Sequence, residues 1–152
     1  MSGHEVAPRR EVTMLRGPST VSFTAANLPA ARDWYASILG IEPYFEVPGY
    51  VEFRVGDLQT ELGIIDAAYA GSKLSRTAAA DPECPTGTVL FWHVEDVGRD
   101  LAALIEAGAR ELDLPRDRGE GFVTATVVDP FGNVLGLMHN PHYLAVREAA
   151  GR

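Results

Sequence analysis

The chain has 152 residues, 46% of them hydrophobic, which is enough apolar mass for one compact domain or for two half-domains that share a sheet. Its net charge of −8 argues against nucleic acid and anionic membranes, because both are met by clustered Lys and Arg. No apolar run is long enough to span a bilayer, and the lone Cys84 excludes an internal disulfide and suits a reducing cytoplasm.

Residues 1–19 carry Arg9, Arg10 and Arg16 but no apolar core, so they read as a flexible tail and not as a signal peptide. The run VSFTA at 21–25 is the first predicted strand. Asn27 is a good helix N-cap, Pro29 falls in the first turn where its missing N–H costs nothing, and Gly40 closes a helix over 30–39. Ala31, Trp34, Tyr35, Ile38 and Leu39 recur at helical spacing, so Trp34 and Tyr35 read as packing residues. Strands are predicted at 44–47, 50–55 and 61–66, with a hairpin turn at Gly56-Asp57. Residues 67–87 are small and polar with no apolar period, which marks a linker.

The same order then repeats. A strand at 89–94 precedes a helix over 99–107 capped by Asp96, with Leu101, Leu104 and Ile105 as its inward stripe and Gly108 at its end. A charged loop is predicted over 110–120, followed by a strand at 122–129. The turn Asp129-Pro130-Phe131-Gly132-Asn133 leads into the last strand, Val134-Leu135-Gly136-Leu137-Met138. Residues 140–152 read as a surface tail ending in a short helix. The pairs Leu28/Val97, Gly40/Gly108 and Gly63/Gly136 are separated by 69, 68 and 73 residues, so the two halves differ by loop insertions only. A repeat of this kind is a duplicated α+β module and not a solenoid.

With its duplicated βαβββ order, Trp34-Tyr35 ahead of Leu39-Gly40, and the closing Asp129-Pro130-Phe131-Gly132-Asn133, the chain resembles the glyoxalase/bleomycin-resistance/dioxygenase group, the vicinal oxygen chelate superfamily. The resemblance covers roughly residues 20–143. It implies an α+β fold in which two tandem modules, 20–66 and 88–139, form a curved mixed-sheet cup around a small-molecule cavity, usually in a homodimer. Activities within the group range from lyases and epimerases to ring-cleaving dioxygenases and antibiotic-binding proteins, so the fold alone does not choose among them.

In metal-dependent relatives the ligands stand on the first and last strands of each module. Carried onto this chain, those positions are Thr20, Gly63, Val89 and Gly136, and none supplies an imidazole or carboxylate. The resemblance therefore implies a protein with no metal and no other cofactor. His139 and His142, three residues apart, make too few ligands for a tight site and read as a polar pair at a strand end.

Period-2 alternation gives the cavity wall. Thr20, Ser22 and Thr24 share a face on the first strand, Glu61, Gly63 and Ile65 on the fourth, and Val89, Phe91 and His93 on the fifth, while Gly136 and Met138 lie on the last. Gly63 and Gly136 are expected to leave room for a flat or bulky apolar group. Glu52 and Arg54 either face the cavity or form a solvated pair on a sheet edge. His93 is either a hydrogen-bonding or acid/base group in the cup or a satisfied histidine near a strand end.

The expectation is a cytoplasmic, homodimeric, metal-free protein that binds a hydrophobic or aromatic small molecule at Thr20, Ser22, Thr24, Glu52, Arg54, Gly63, Val89, Phe91, His93, Gly136 and Met138, as antibiotic-sequestering proteins do. The alternative is a glyoxalase-like lyase or isomerase, or a dioxygenase, with His93 and Glu61 as candidate catalytic groups.

Overall fold

The computed structural model describes Val6, residues 14–69 and residues 88–151. Residues 70–87 of the predicted linker, with Cys84, and also His4 and most of the N-terminal tail lie outside these residues. The described residues divide into two units, the first drawn from residues 17–69 together with Val128–Asn133, the second from 88–127 and 134–151.

In the first unit the elements are β1 (Thr20–Ala25), α1 (Leu28–Leu39), β2 (Phe45–Val47), β3 (Tyr50–Val55) and β4 (Thr60–Asp66). The sheet order is β1-β4-β3-β2, with β1 parallel to β4 and the other pairs antiparallel. The Asn27 side chain accepts the Ala30 amide at 3.1 Å, and Gly40, at φ 67°, ends α1 in the left-handed conformation that glycine adopts without strain. Leu28, Ala31 and Tyr35 form the buried stripe of α1, and Phe23 on β1 meets the Tyr35 ring at 5.1 Å. The helix therefore covers the Phe23 face of the sheet. Phe53, Leu62 and Ile64 are fully buried, and the alternate residues of each strand stand on the opposite face.

The closing turn of the second repeat completes this unit. Asp129 is buried and accepts the Phe131 and Asn133 amides on one oxygen at 2.8 and 2.9 Å, while its other oxygen accepts the Tyr35 hydroxyl at 2.6 Å. Asn133 donates through its side chain to the Thr24 carbonyl at 2.9 Å, and Phe131 meets Trp34 edge-on at 6.1 Å. Tyr35 and Trp34 are packing residues, and what they pack against includes a turn about a hundred residues away.

In the second unit the order is β5 (Leu90–His93), α2 (Val97–Glu106), β6 (Arg110–Gly119), β7 (Phe122–Val128), β8 (Val134–His139) and α3 (Pro141–Ala149). The sheet order is β5-β8-β7-β6, the same as in the first unit, with β5 parallel to β8. Asp96 caps α2 by accepting the Arg99 amide at 3.0 Å, and Asn140 caps α3 in the same way from Tyr143. Val97 and Leu101 carry the burial of α2, while Ile105, expected on its inward stripe, is 39% exposed.

The predicted charged loop at 110–120 is instead β6, a ten-residue strand at the sheet edge with every residue exposed. Pairing with β7 supplies its hydrogen bonds, so it needs no buried face. A strand without a buried face shows no hydrophobic alternation, which is why the pattern reads as a loop.

Candidate functional site

On the face of the first sheet turned away from α1, a cluster of polar and aromatic side chains surrounds Glu52. Residues 50, 52 and 54 alternate onto this face of β3, and the register sets Glu52 opposite Gly63 and Arg54 opposite Glu61. The Glu52 side chain, only 7% exposed, accepts the Tyr44 hydroxyl on one oxygen and the Tyr50 hydroxyl at 2.5 Å on the other. Arg54 lies over the Tyr44 ring at 4.0 Å, within reach of a cation–π attraction. Thr20 donates to Glu61 at 3.2 Å across the β1–β4 pair.

Two carboxyls so placed do not ionise alike. Burial pushes the Glu52 pKa up, but hydrogen bonds from Tyr44, Tyr50 and Glu61 outweigh it, and Glu52 titrates below the ordinary carboxylate value. Glu61 moves the other way, because its hydrogen bond to Glu52, then burial and the Glu52 charge, all favour keeping its proton. The pair thus holds one proton and one negative charge over a range of pH, with the proton on Glu61. Tyr44 is raised chiefly by its bond to Glu52, and Tyr50 chiefly by burial. In Glu52→Gln the Glu61 pKa should fall back toward the ordinary value, since the charge that retains its proton is gone. Carbon NMR titration of the glutamate carboxyls checks this, and an unchanged Glu61 would refute the coupling.

The glycines do not leave room for a ligand as expected. A Cβ added at Gly63 would stand 2.5 Å from the Tyr50 hydroxyl and 2.9 Å from the Ser22 hydroxyl, and one at Gly136 would stand 2.5 Å from the Phe91 ring. The space over each glycine is filled by a neighbour's side chain leaning along its strand. Glycine is required there for that side chain, not for a guest.

In the β1–β4 register Thr20 faces Glu61 and Gly63 faces Ser22, so a carboxylate stands opposite Thr20. This still does not make a cation site: Glu61 accepts from Thr20 and bonds Glu52, and Glu52 is occupied by two tyrosines. On the second sheet Val89 precedes β5, and Phe91 faces Gly136. At Thr20, Gly63, Val89 and Gly136 themselves, the described residues do not bring together the several nitrogen, sulfur or carboxylate donors, free of other partners, that a divalent ion needs.

The remaining expected residues sit as follows. Thr24 is buried, Ser22 and Arg54 are exposed, and Phe91 is 40% exposed above Gly136. Met138 is half-buried, and its sulfur accepts from the Asn140 side-chain Nδ2 at 3.3 Å. His93 does lie at a strand end, but it is enclosed: its side chain is 7% exposed, it stacks on Tyr143 at 4.7 Å, and its Nδ1 accepts the Asn140 amide at 3.0 Å. Burial lowers its pKa, with Glu95 opposing and His139 assisting. His139 pairs in space with His93, at 5.4 Å between rings, while His142 is exposed on α3.

Sequence reasoning missed Tyr44, Tyr50 and Glu95. Tyr50 was within reach, because it shares the period-2 face of Glu52 and Arg54. Tyr44 was not, since it lies outside β2 and is brought to Glu52 by its own amide bonding the Glu52 carbonyl at 3.1 Å.

A model of the Glyoxalase/Bleomycin resistance protein/Dioxygenase superfamily matches residues 17–137. No curated protein matches the chain. Among solved structures, a glyoxalase-related enzyme from Fulvimarina pelagi is similar over 84% of this chain and 90% of its own, at 19% identity and a TM-score of 0.65. A glyoxalase/bleomycin resistance protein/dioxygenase family enzyme from Burkholderia phytofirmans PsJN is similar over 79% and 95%, at 18% identity and a TM-score of 0.64. A bleomycin resistance determinant encoded on the transposon Tn5 is similar over 82% and 98%, at 19% identity and a TM-score of 0.57. At these identities the likeness is one of fold.

Proposed function

The chain belongs to the glyoxalase/bleomycin resistance protein/dioxygenase superfamily, and from that premise we propose that it binds an aromatic small molecule on the Glu52 face of its first unit, through side chains alone and without a metal taking part. The observation that carries this reading is the conjunction of Glu52, fixed in place by Tyr44 and Tyr50, with large apolar residues in the open beside it. Tyr44, Phe45 and Val47 are 45%, 46% and 44% exposed, and Phe45 lies opposite Glu52 in the β2–β3 pair. Exposed aromatics next to a few fixed polar groups are the usual makings of a small-molecule site. Protonated Glu61, the Glu52 carboxylate and Arg54 supply a donor, an acceptor and a charge of each sign, enough to orient a ring with polar substituents. Sequestration of an antibiotic by a cytoplasmic homodimer is the form of this activity we favour.

The rival reading is an acid/base lyase or isomerase, and the split between Glu52 and Glu61 favours it specifically, because two carboxyls driven apart in pKa are how a protein keeps a proton donor beside a base. The enclosure of His93 moves that role to Glu61.

A thermal-shift screen of aromatic compounds, followed by titration of the best, separates the two. Under the binding reading Phe45→Ala weakens the ligand by roughly 1–3 kcal/mol, the scale of a lost aromatic contact, and mass spectrometry finds the ligand unchanged. Unaltered affinity in Phe45→Ala would place the ligand elsewhere. Product that forms with the wild type and not with Glu61→Gln would establish the enzyme.

A further inference from the structure

We propose that the second unit holds a divalent cation of the zinc type between His93, Glu95 and His139, four residues past Val89 on the β5 side and three past Gly136 on β8. The ligand atoms these residues offer lie within 4.8 Å of one another. Bonds near 2.0–2.1 Å in a tetrahedral site set ligand atoms about 3.4 Å apart, so closing around an ion takes a movement of about 1 Å. The Glu95 side chain, 65% exposed, is free to supply its share of that movement.

The two imidazoles are already held. His139 Nδ1 lies 3.2 Å from the Val94 carbonyl, which can only accept, so Nδ1 carries the proton and Nε2 keeps its lone pair. That is the arrangement in which a protein orients a metal-bound histidine. His93 is clamped against Tyr143, and its buried Nε2 has no hydrogen-bond partner among the described residues, the Glu95 carboxylate being 3.7 Å away. A buried nitrogen left unpaired is costly, and an ion shared with Glu95 and His139 would satisfy it.

One bond must yield. While Nδ1 of His93 accepts the Asn140 amide, the proton of the neutral ring sits on Nε2, so coordination requires it to move to Nδ1 and breaks that hydrogen bond. The loss is small beside the binding energy of a three-ligand zinc site. Asn140 is the N-cap of α3, so the first turn of that helix, with Tyr143, should respond to the ion. Arg147 opposes a cation here and Glu95 favours one, the carboxylate acting on His93 more strongly than the guanidinium. Beside the cluster lies a cavity of about 360 Å³ lined by Glu95, Asp96, Val97, Gly98, Pro115, Val123 and His139, which leaves the ion a side open to solvent. Two imidazoles and one carboxylate favour zinc, cobalt or nickel over magnesium or calcium.

The test uses the full chain carrying Cys84→Ser, so that the thiol cannot contribute, stripped with a chelator and titrated with zinc by calorimetry and with cobalt by visible absorption. One ion per chain is expected, with a four-coordinate cobalt spectrum and a change in Tyr143 fluorescence that Tyr143→Phe abolishes. His139→Ala, at a half-buried side chain, and Glu95→Gln, at an exposed one, should each weaken zinc at least tenfold while leaving aromatic-ligand binding on the first unit intact. Absence of saturable binding, or affinity that survives in both variants, would overturn the site.

Discussion

Asp129→Ala should lower the stability of the chain by roughly 3–5 kcal/mol, read from the denaturant midpoint, because the carboxylate is the shared acceptor for three donors and each charge-assisted bond is worth about 1.5–3 kcal/mol before relaxation. Two of these are turn amides, Phe131 and Asn133, and the third is the hydroxyl of Tyr35, itself 2% exposed. Tyr35→Phe removes only the last and should cost about 1–3 kcal/mol. Burial, the largest influence on Asp129, pushes its carboxyl above the ordinary 3.8 in spite of these donors. A folded-state pKa above the unfolded one means that the folded chain holds the proton more tightly. The Asp129 contribution is then greatest in acid and declines as pH rises from 3.8 through the raised value. The stability advantage of wild type over Asp129→Asn should shrink across the same window. Equal midpoints for wild type and Asp129→Ala would show that the turn does not hold α1.

Gly63→Val should cost roughly 2–5 kcal/mol, combining overpacking of about 1–3 kcal/mol with a similar penalty for depriving buried Glu52 of the Tyr50 hydroxyl. The added Cβ falls where that hydroxyl stands, and the Ser22 side chain blocks the other way out. The effect on binding follows, because Tyr50 is one of the two groups that fix Glu52. Tyr50→Ala clears the space, so the Gly63→Val penalty measured in that background should be smaller by a kilocalorie or more. Additive penalties would mean that the residue in the way is not Tyr50.

Much of the fold was legible because its signals are local. Asn27, Gly40 and Asp96 set helix ends through bonds three or four residues long, and the strand patterns found seven of the eight strands among the described residues. β6 escaped since its ten exposed residues carry no burial pattern for a sequence to show. In the candidate site, parity brought Thr20 and Glu61 to one face and left Glu52 and Arg54 open until the register set them there, and it could not show which side chains lean along their strands. Tyr50 over Gly63 and Phe91 over Gly136 are such cases, and they turned two apparent gaps into filled space. The meeting of Glu95, His93 and His139 depends on how the chain leaves β5 and β8, beyond the regular alternation from which strand faces are counted.

The Tyr35–Asp129 and Thr24–Asn133 bonds span 94 and 109 residues of sequence. During synthesis the first βαβββ repeat emerges long before the turn that completes it. Until residue 133 has cleared the ribosome, the Tyr35 hydroxyl lacks its acceptor and the end of β1 lacks its side-chain donor. Formation of this unit therefore waits on a loop closure of that length, with the slow, non-local folding that such separations bring. A nascent chain stalled after residue 87 should be digested readily by protease, and one stalled with residue 140 outside the exit tunnel should resist.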